Sequence, residues 1–133
     1  RILVHTHCHQ RALHGRASSA ALLERLFPGA VEVLDSGCCG MAGSFGYSAH
    51  RFDLSMRIGE ISLFAPLRRA LADSATRGGV PGTEQRACGD SQSVVVAAGT
   101  SCRQQLREGM GVGALHPIDL CARALANQVP SPS

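Results

Sequence analysis

Ser93-Val-Val-Val-Ala-Ala98, with Gly99-Thr-Ser-Cys102 directly after it, is the stretch on which the fold turns. After Ser93 the run is apolar throughout, with no polar–apolar alternation. Such a run predicts a strand covered on both faces, at the centre of a parallel sheet. Gly99 to Cys102 reads as its exit loop. Working outward, Arg1-Ile-Leu-Val-His-Thr-His7 predicts a first strand, Val31-Glu-Val-Leu-Asp35 a second and Gly113-Ala-Leu-His-Pro117 a short fourth. Helical patterns lie between them. One covers Ala20 to Phe27, stopped by Pro28-Gly29. Another starts near His50 with Phe52, Leu54, Met56, Ile58, Ile61 and Phe64 on an apolar side, and Pro66 is expected to break it and open a further turn. Arg103 to Glu108 and Ile118 to Asn127 read as the last two helices.

The order β-α-β-α-β-α-β-α predicts a single α/β domain over residues 1–128. It would hold a mainly parallel four-stranded sheet with helices on both faces, joined by right-handed crossovers. Residues 77–92, with four glycines and a proline, read as a long exposed loop, and 129–133 as a disordered tail.

At 133 residues the chain is long enough for one proper core. It begins at Arg1 and is apolar from Ile2 onward, so it is expected to be a piece of a longer protein. Net charge is +3 and all 13 basic residues are arginines. They are scattered, with almost no aromatic interleaving, which argues against a nucleic-acid partner. No apolar run approaches the ~20 residues that span a membrane. Six cysteines in a chain this rich in Val, Leu and Ala point to reduced thiols and a cytoplasmic location rather than to a disulfide scaffold.

The polar residues fall in a pattern. Cys8 follows strand one, Cys38 and Cys39 follow strand two, Cys102 follows strand three and His116 ends strand four. In a parallel sheet these all lie at the carboxyl edge, where such folds bind ligands. The loop Gly37-Cys-Cys-Gly-Met-Ala-Gly-Ser-Phe-Gly-Tyr47 has glycine at every third position. It can turn N–H groups toward a compact anion, and a thiolate-bound metal or iron–sulfur cluster is such a group. The plain alternative is a tight turn with buried thiols. His7 and His9 flank Cys8; if the strand continues, alternation points them together, opposite Cys8. His7, His9 and His116 are the candidate additional metal ligands. His5 is expected to serve structure, His14 and His50 to lie on the surface, Cys121 in the core, and Cys88 in the exposed loop. Phe45 and Tyr47 are candidates to cap the loop, and Arg103 to balance a negative cluster.

These residues carry a resemblance. Cys8, 29 residues, Cys38-Cys39-Gly40, and a later Gly-x-Ser-Cys102 resemble the cysteine-rich CCG domain. That domain occurs in heterodisulfide reductase and in the iron–sulfur subunits of glycolate oxidase and anaerobic glycerol-3-phosphate dehydrogenase. His7-Cys8-His9, Gly37 to Gly46, Gly99-Thr-Ser-Cys-Arg-Gln-Gln105 and Leu115-His-Pro117 are most similar to the C-terminal region of FAD-linked, iron–sulfur D-2-hydroxyacid dehydrogenases of the D-lactate and D-2-hydroxyglutarate type. The family's last element is Cys-x-x-Cys, and here Gly99 stands at its first position, 62 residues separating Cys39 from Cys102.

The resemblance implies an electron-transfer domain. Its cofactor-binding and metal residues would be Cys8, Cys38, Cys39 and Cys102. The cofactor would be an iron–sulfur cluster, the non-cubane 4Fe–4S type included, or zinc. FAD and ferredoxin-like domains would lie elsewhere in a parent oxidoreductase, with electrons leaving toward a quinone or another acceptor. The parent would be cytoplasmic or peripheral to the inner membrane. The domain alone is not expected to be catalytic, since it has no FAD-binding segment. The rival readings are a zinc-stabilised structural or docking module, thiol redox chemistry at Cys38 and Cys39, and a Cys–His hydrolase. The fold is expected to survive loss of the metal.

Overall fold

The structure, a computed structural model, describes residues 1–77 and 93–126, and the side chains of these residues other than 74–77. Cys88, the expected loop beyond Arg77 and the expected tail lie outside the described residues. The chain runs β1 (Ile2–His5), α1 (Cys8–His14), α2 (Ala20–Leu26), β2 (Val31–Val33), α3 (Ala49–Gly59), α4 (Ala65–Arg77), β3 (Val94–Ala97), α5 (Thr100–Met110) and α6 (Pro117–Ala126). A 3-10 turn, Phe45–Tyr47, precedes α3, and a π-helical segment, Glu60–Phe64, joins α3 to α4.

The sheet is parallel, as expected, with three strands in the order β2-β1-β3. Val4 sits opposite Val33 on one side and Val96 on the other. The expected fourth strand is a single parallel bridge. Leu115 donates its N–H to Val95 O and accepts from Ala97 N–H, both at 2.9 Å. Pairing stops there because Pro117 has no N–H to give and opens α6 instead. The central strand is therefore β1, with β3 between it and the Leu115 bridge.

Alternation along the strands separates two cores. Ile2, Val4, Val94 and Val96 pack with Leu23 of α2 and Cys121 of α6. Leu3, Val95 and Ala97 pack on the other face with Leu63, Phe64, Leu67, Ala70 and Leu106. Leu3, Val4 and Val96 are fully buried, each contributing about 1.5–3 kcal/mol. Helices thus cover both faces, as the apolar run at Val94–Ala97 predicts.

Three local expectations are corrected. First, β1 ends at His5 and Cys8 opens a helix. His7 and His9 are therefore not partners on one face of a strand. Helix α1 buries no residue, so it leaves no apolar period to detect. Second, α3 turns inward its small residues Ser55 and Gly59, whereas Phe52, Leu54 and Ile61 of this helical region are exposed, Ile61 by 78%. Third, Pro66 does not break the helical run. The helix widens to π geometry just before it, relieving the clash of the proline ring with the preceding turn. Proline also leaves the carbonyl four residues earlier, that of Ser62, without its usual donor. The Gly37 N–H takes that carbonyl at 2.7 Å. The irregularity in the helix is thus tied to the start of the cysteine loop.

Candidate functional site

The ends of the three strands bring four thiols together. Cys8 is the first residue of α1, Cys38 and Cys39 follow β2, and Cys102 lies in the first turn of α5. Cys8 and Cys38 are half-buried, Cys39 and Cys102 buried, and none of these is in a disulfide. They pair two by two. Cys8 acts on the ionisation of Cys38, and Cys102 on that of Cys39. The pairs adjoin, since Cys102 feels the charge of Cys8 and Cys38 as well as that of Cys39.

Electrostatics splits the buried pair. The Cys102 thiol donates to Cys39 and draws its pKa down to about 6. Burial opposes this; the N–H of Met41, the Ser101 hydroxyl and the Cys39 N–H add to it. Cys102 is pushed far up, first because it keeps the shared proton, then by burial and by the other three sulfurs. Burial raises Cys38, opposed by the Gly40 N–H, which reaches its sulfur at 3.4 Å. The glycine-rich loop therefore does aim backbone N–H groups at sulfur. That is the environment of a stabilised thiolate.

A buried polar network clamps the loop. Ser55 Oγ donates to Gly40 O at 2.9 Å, and Gln105 Nε2 donates to Ser55 O and Oγ, both at 3.1 Å. Gln105 is fully buried and lies three residues after Cys102, on the same side of α5. Gly40, with φ +90°, has no room for a side chain: a Cβ would lie 2.2 Å from Ser55 O. Ser55, Gly59, Gln105 and Pro66 were not among the expected site residues. The small pair Ser55 and Gly59, spaced i,i+4 among large apolar residues, is the sequence signal that could have found the clamp.

The histidines divide clearly. His5 is fully buried, with Nδ1 at 2.8 Å from Ser36 Oγ, and its pKa is lowered to about 4 by burial, then by His7 and Arg11. His9 is exposed on α1, and His14 and His50 are exposed. His116 Nδ1 accepts the Ile118 N–H at 3.2 Å, capping α6. His7 is the histidine set against the thiols: a Cβ on Gly99 would meet His7 Cδ2 at 2.5 Å and Cys102 Sγ at 2.9 Å. Arg103 does not face outward as a free charge. Its guanidinium holds Ala97 O and Ala98 O at 2.9 and 2.8 Å, fixing the loop that carries Gly99. Phe45 lies under the Arg51 guanidinium, but Tyr47 is 61% exposed and Met41 fills the interior of the loop instead.

Among the described residues no three His, Cys, Asp or Glu side chains converge on one metal-ion position. The arrangement is two adjoining thiol pairs, not a closed single-ion cage. Its donor chemistry suits a thiophilic group: four sulfurs from three strand ends, with N–H groups directed at them. Among the described residues no helix is long and apolar enough to cross a membrane.

Comparison with known proteins gives relatives of one kind. No family model matches and no solved structure matches. One subunit of the anaerobic glycerol-3-phosphate dehydrogenase of Escherichia coli (strain K12) is 29% identical over 126 residues, 95% of this chain and 26% of that protein. Its counterpart in Escherichia coli O157:H7 aligns equally. D-2-hydroxyglutarate dehydrogenase of Escherichia coli (strain K12) is 29% identical over 113 residues, 84% of this chain and 9% of that protein. The chain thus spans about a quarter of the length of the first two relatives and about a tenth of the third. Its homologues are these dehydrogenase proteins, of the same kinds that its cysteine motifs resemble.

Proposed function

We propose that this chain is the C-terminal CCG electron-transfer domain of an FAD-linked, iron–sulfur 2-hydroxyacid dehydrogenase. One observation carries the reading: four thiols, from the segments that follow three different strands, meet in two adjoining pairs at one sheet edge. The homology to dehydrogenase proteins supports an electron-transfer role for that place. Cys8, Cys38, Cys39 and Cys102 would hold an iron–sulfur cluster, which when bound accepts and passes on electrons delivered from the flavin. The chain's own residues do the rest. The Gly40 and Met41 N–H groups direct their dipoles at sulfur and lower the energy of the thiolate form. Ser55 and Gln105 hold the loop against α5, so the Cys39 and Cys102 sulfurs stay within reach of each other. Met41 and Phe64 pack water out of the inner side. The parent's FAD and ferredoxin-like domains would be its partners, in the cytoplasm or at the inner membrane surface.

The test is metal analysis of protein prepared without oxygen. We expect iron and sulfide at about four each per chain, with broad visible absorbance, and loss of both in Cys38→Ser. Stoichiometric zinc in a colourless protein would replace this reading with a structural or docking module. Absence of any metal from the domain expressed within its full-length parent would sink both.

A further inference from the structure

We propose that His7 is an imidazole ligand of the metal group held by the four thiols, entering through the space that Gly99 keeps open. The inference rests on the iron–sulfur reading above and adds a nitrogen donor to its four sulfurs.

The geometry starts at Gly99. It follows β3 and immediately precedes α5, with an extended φ of −71° that any residue can adopt. Backbone conformation therefore does not call for glycine here; space does. A Cβ at this position would lie 2.5 Å from Cδ2 and 3.2 Å from Cγ of His7, and 2.9 Å from Cys102 Sγ. The imidazole and the Cys102 sulfur are thus both within 3 Å of one point, and the missing side chain is what lets them approach. The ring edge against Gly99 is the one that ends in Cδ2, next to Nε2.

His7 also has coordinating atoms to spare at this place. It precedes Cys8 at the start of α1, and makes no side-chain hydrogen bond that caps this helix. Among the described residues its ring nitrogens have no hydrogen-bond partner. Nδ1 of His5 is engaged with Ser36 and its Nε2 is buried without a partner, but it is His7 whose ring lies with Cys102 Sγ around Gly99; Nδ1 of His116 takes the Ile118 N–H. His9 is exposed on the helix. A half-buried imidazole with unengaged nitrogens beside a set of thiols is placed as a ligand. Arg103, bonded to Ala97 O and Ala98 O, holds the Gly99 segment against the ring.

As a fifth donor, a neutral imidazole brings one negative charge fewer to the coordination sphere than a fifth thiolate would. Histidine ligation raises the reduction potential of an iron–sulfur centre relative to all-cysteine ligation. The experiment is pulsed EPR on the anaerobically reconstituted, reduced protein, with and without 15N-histidine labelling, beside iron and sulfide analysis. We expect a nitrogen hyperfine coupling that responds to the label, is lost in His7→Ala and persists in His9→Ala and His116→Ala. Gly99→Ala, whose Cβ crowds the ring, should weaken or abolish the coupling. His7→Cys should keep the iron, lack the coupling and shift the potential downward. If His7→Ala releases the iron, the label-sensitive coupling in the wild type and its loss in His7→Cys decide the matter. Bound iron and sulfide with no label-sensitive coupling, or a coupling that survives His7→Ala, would overturn the role of His7 and leave the iron–sulfur reading standing. Protein that binds no iron and sulfide would overturn both, and the metal analysis tells the two failures apart.

Discussion

Cys121 and Cys102 are both helix cysteines with almost no exposed surface, 4% and 1% respectively, yet they sit on opposite faces of the sheet in different chemical worlds. Cys121 packs with Ile2, Val4, Leu23 and Val96, where it is one more small apolar side chain. Cys102 packs beside Cys39, within the field of Cys8 and Cys38, next to His7 and near a buried Gln105. The first face is an ordinary core. The second carries polar groups that only a specific arrangement can satisfy. Burial does not mark a functional cysteine; the company it keeps does.

The largest effect that would break this comparison is on metal content. Cys102→Ser should abolish bound iron while leaving the far-ultraviolet spectrum unchanged, because both cores close without the metal. Cys121→Ala should keep its iron and lose about 1 kcal/mol of stability through a small cavity. Equal iron loss in the two variants would erase the distinction between the faces.

Glycines separate the faces next. Gly40→Ala combines φ +90° with a Cβ 2.2 Å from Ser55 O. It should cost about 3 kcal/mol or more in urea unfolding, since backbone must move. Gly29, at φ +74° with nothing within 4 Å, precedes β2 beside the plain core. Gly29→Ala should cost only about 1 kcal/mol, the strain of φ alone. Similar costs would mean that the loop does not seat tightly on α3.

A third prediction uses pH. His5 is held neutral in the folded state down to about pH 4, against 6.5 when unfolded, by burial and by the nearby His7 and Arg11. Between those values the unfolded chain binds a proton that the folded one refuses. The associated stability is therefore complete above pH 6.5 and falls as pH drops toward 4, by about 3 kcal/mol in total. The urea midpoint of metal-free protein should fall between pH 6.5 and 4.5, and His5→Gln should flatten that slope. An unchanged slope in the variant would show that His5 is not the responsible group.

The smallest effect concerns Pro66. Pro66→Ala restores an N–H that competes with Gly37 for the Ser62 carbonyl. Amide exchange at Gly37 should rise several-fold, with a stability change of about 1 kcal/mol in either direction. Unaltered exchange at Gly37 would show that the loop and the helix are not coupled there.

Much of this was legible in the chain. The unbroken apolar run at Val94–Ala97 announces a doubly covered parallel strand, and the cysteines that follow each strand point to one edge. The elements that escaped reading did so for separate reasons. Helix α1 buries nothing, so its pattern has no period. The inward side of α3 includes Ser55 and Gly59, because a backbone loop packs against it, so Phe52 and Leu54 point out. The fourth strand shrank to one bridge because Pro117 starts a helix. Periodicity reports which residues side chains cover, and it fails where backbone does the covering.

By itself, then, the sequence determined the α/β class, the parallel sheet and the presence of thiols at the ends of three strands, since these follow from local patterning and chain order. Only the tertiary structure decided which thiol pairs with which, that Gln105 and Ser55 clamp the loop, that His7 lies against Gly99 beside Cys102, and that a proline in a helix anchors the cysteine loop. Those are contacts between residues tens of positions apart, set by how closely helices and loops approach, and no local pattern carries that distance.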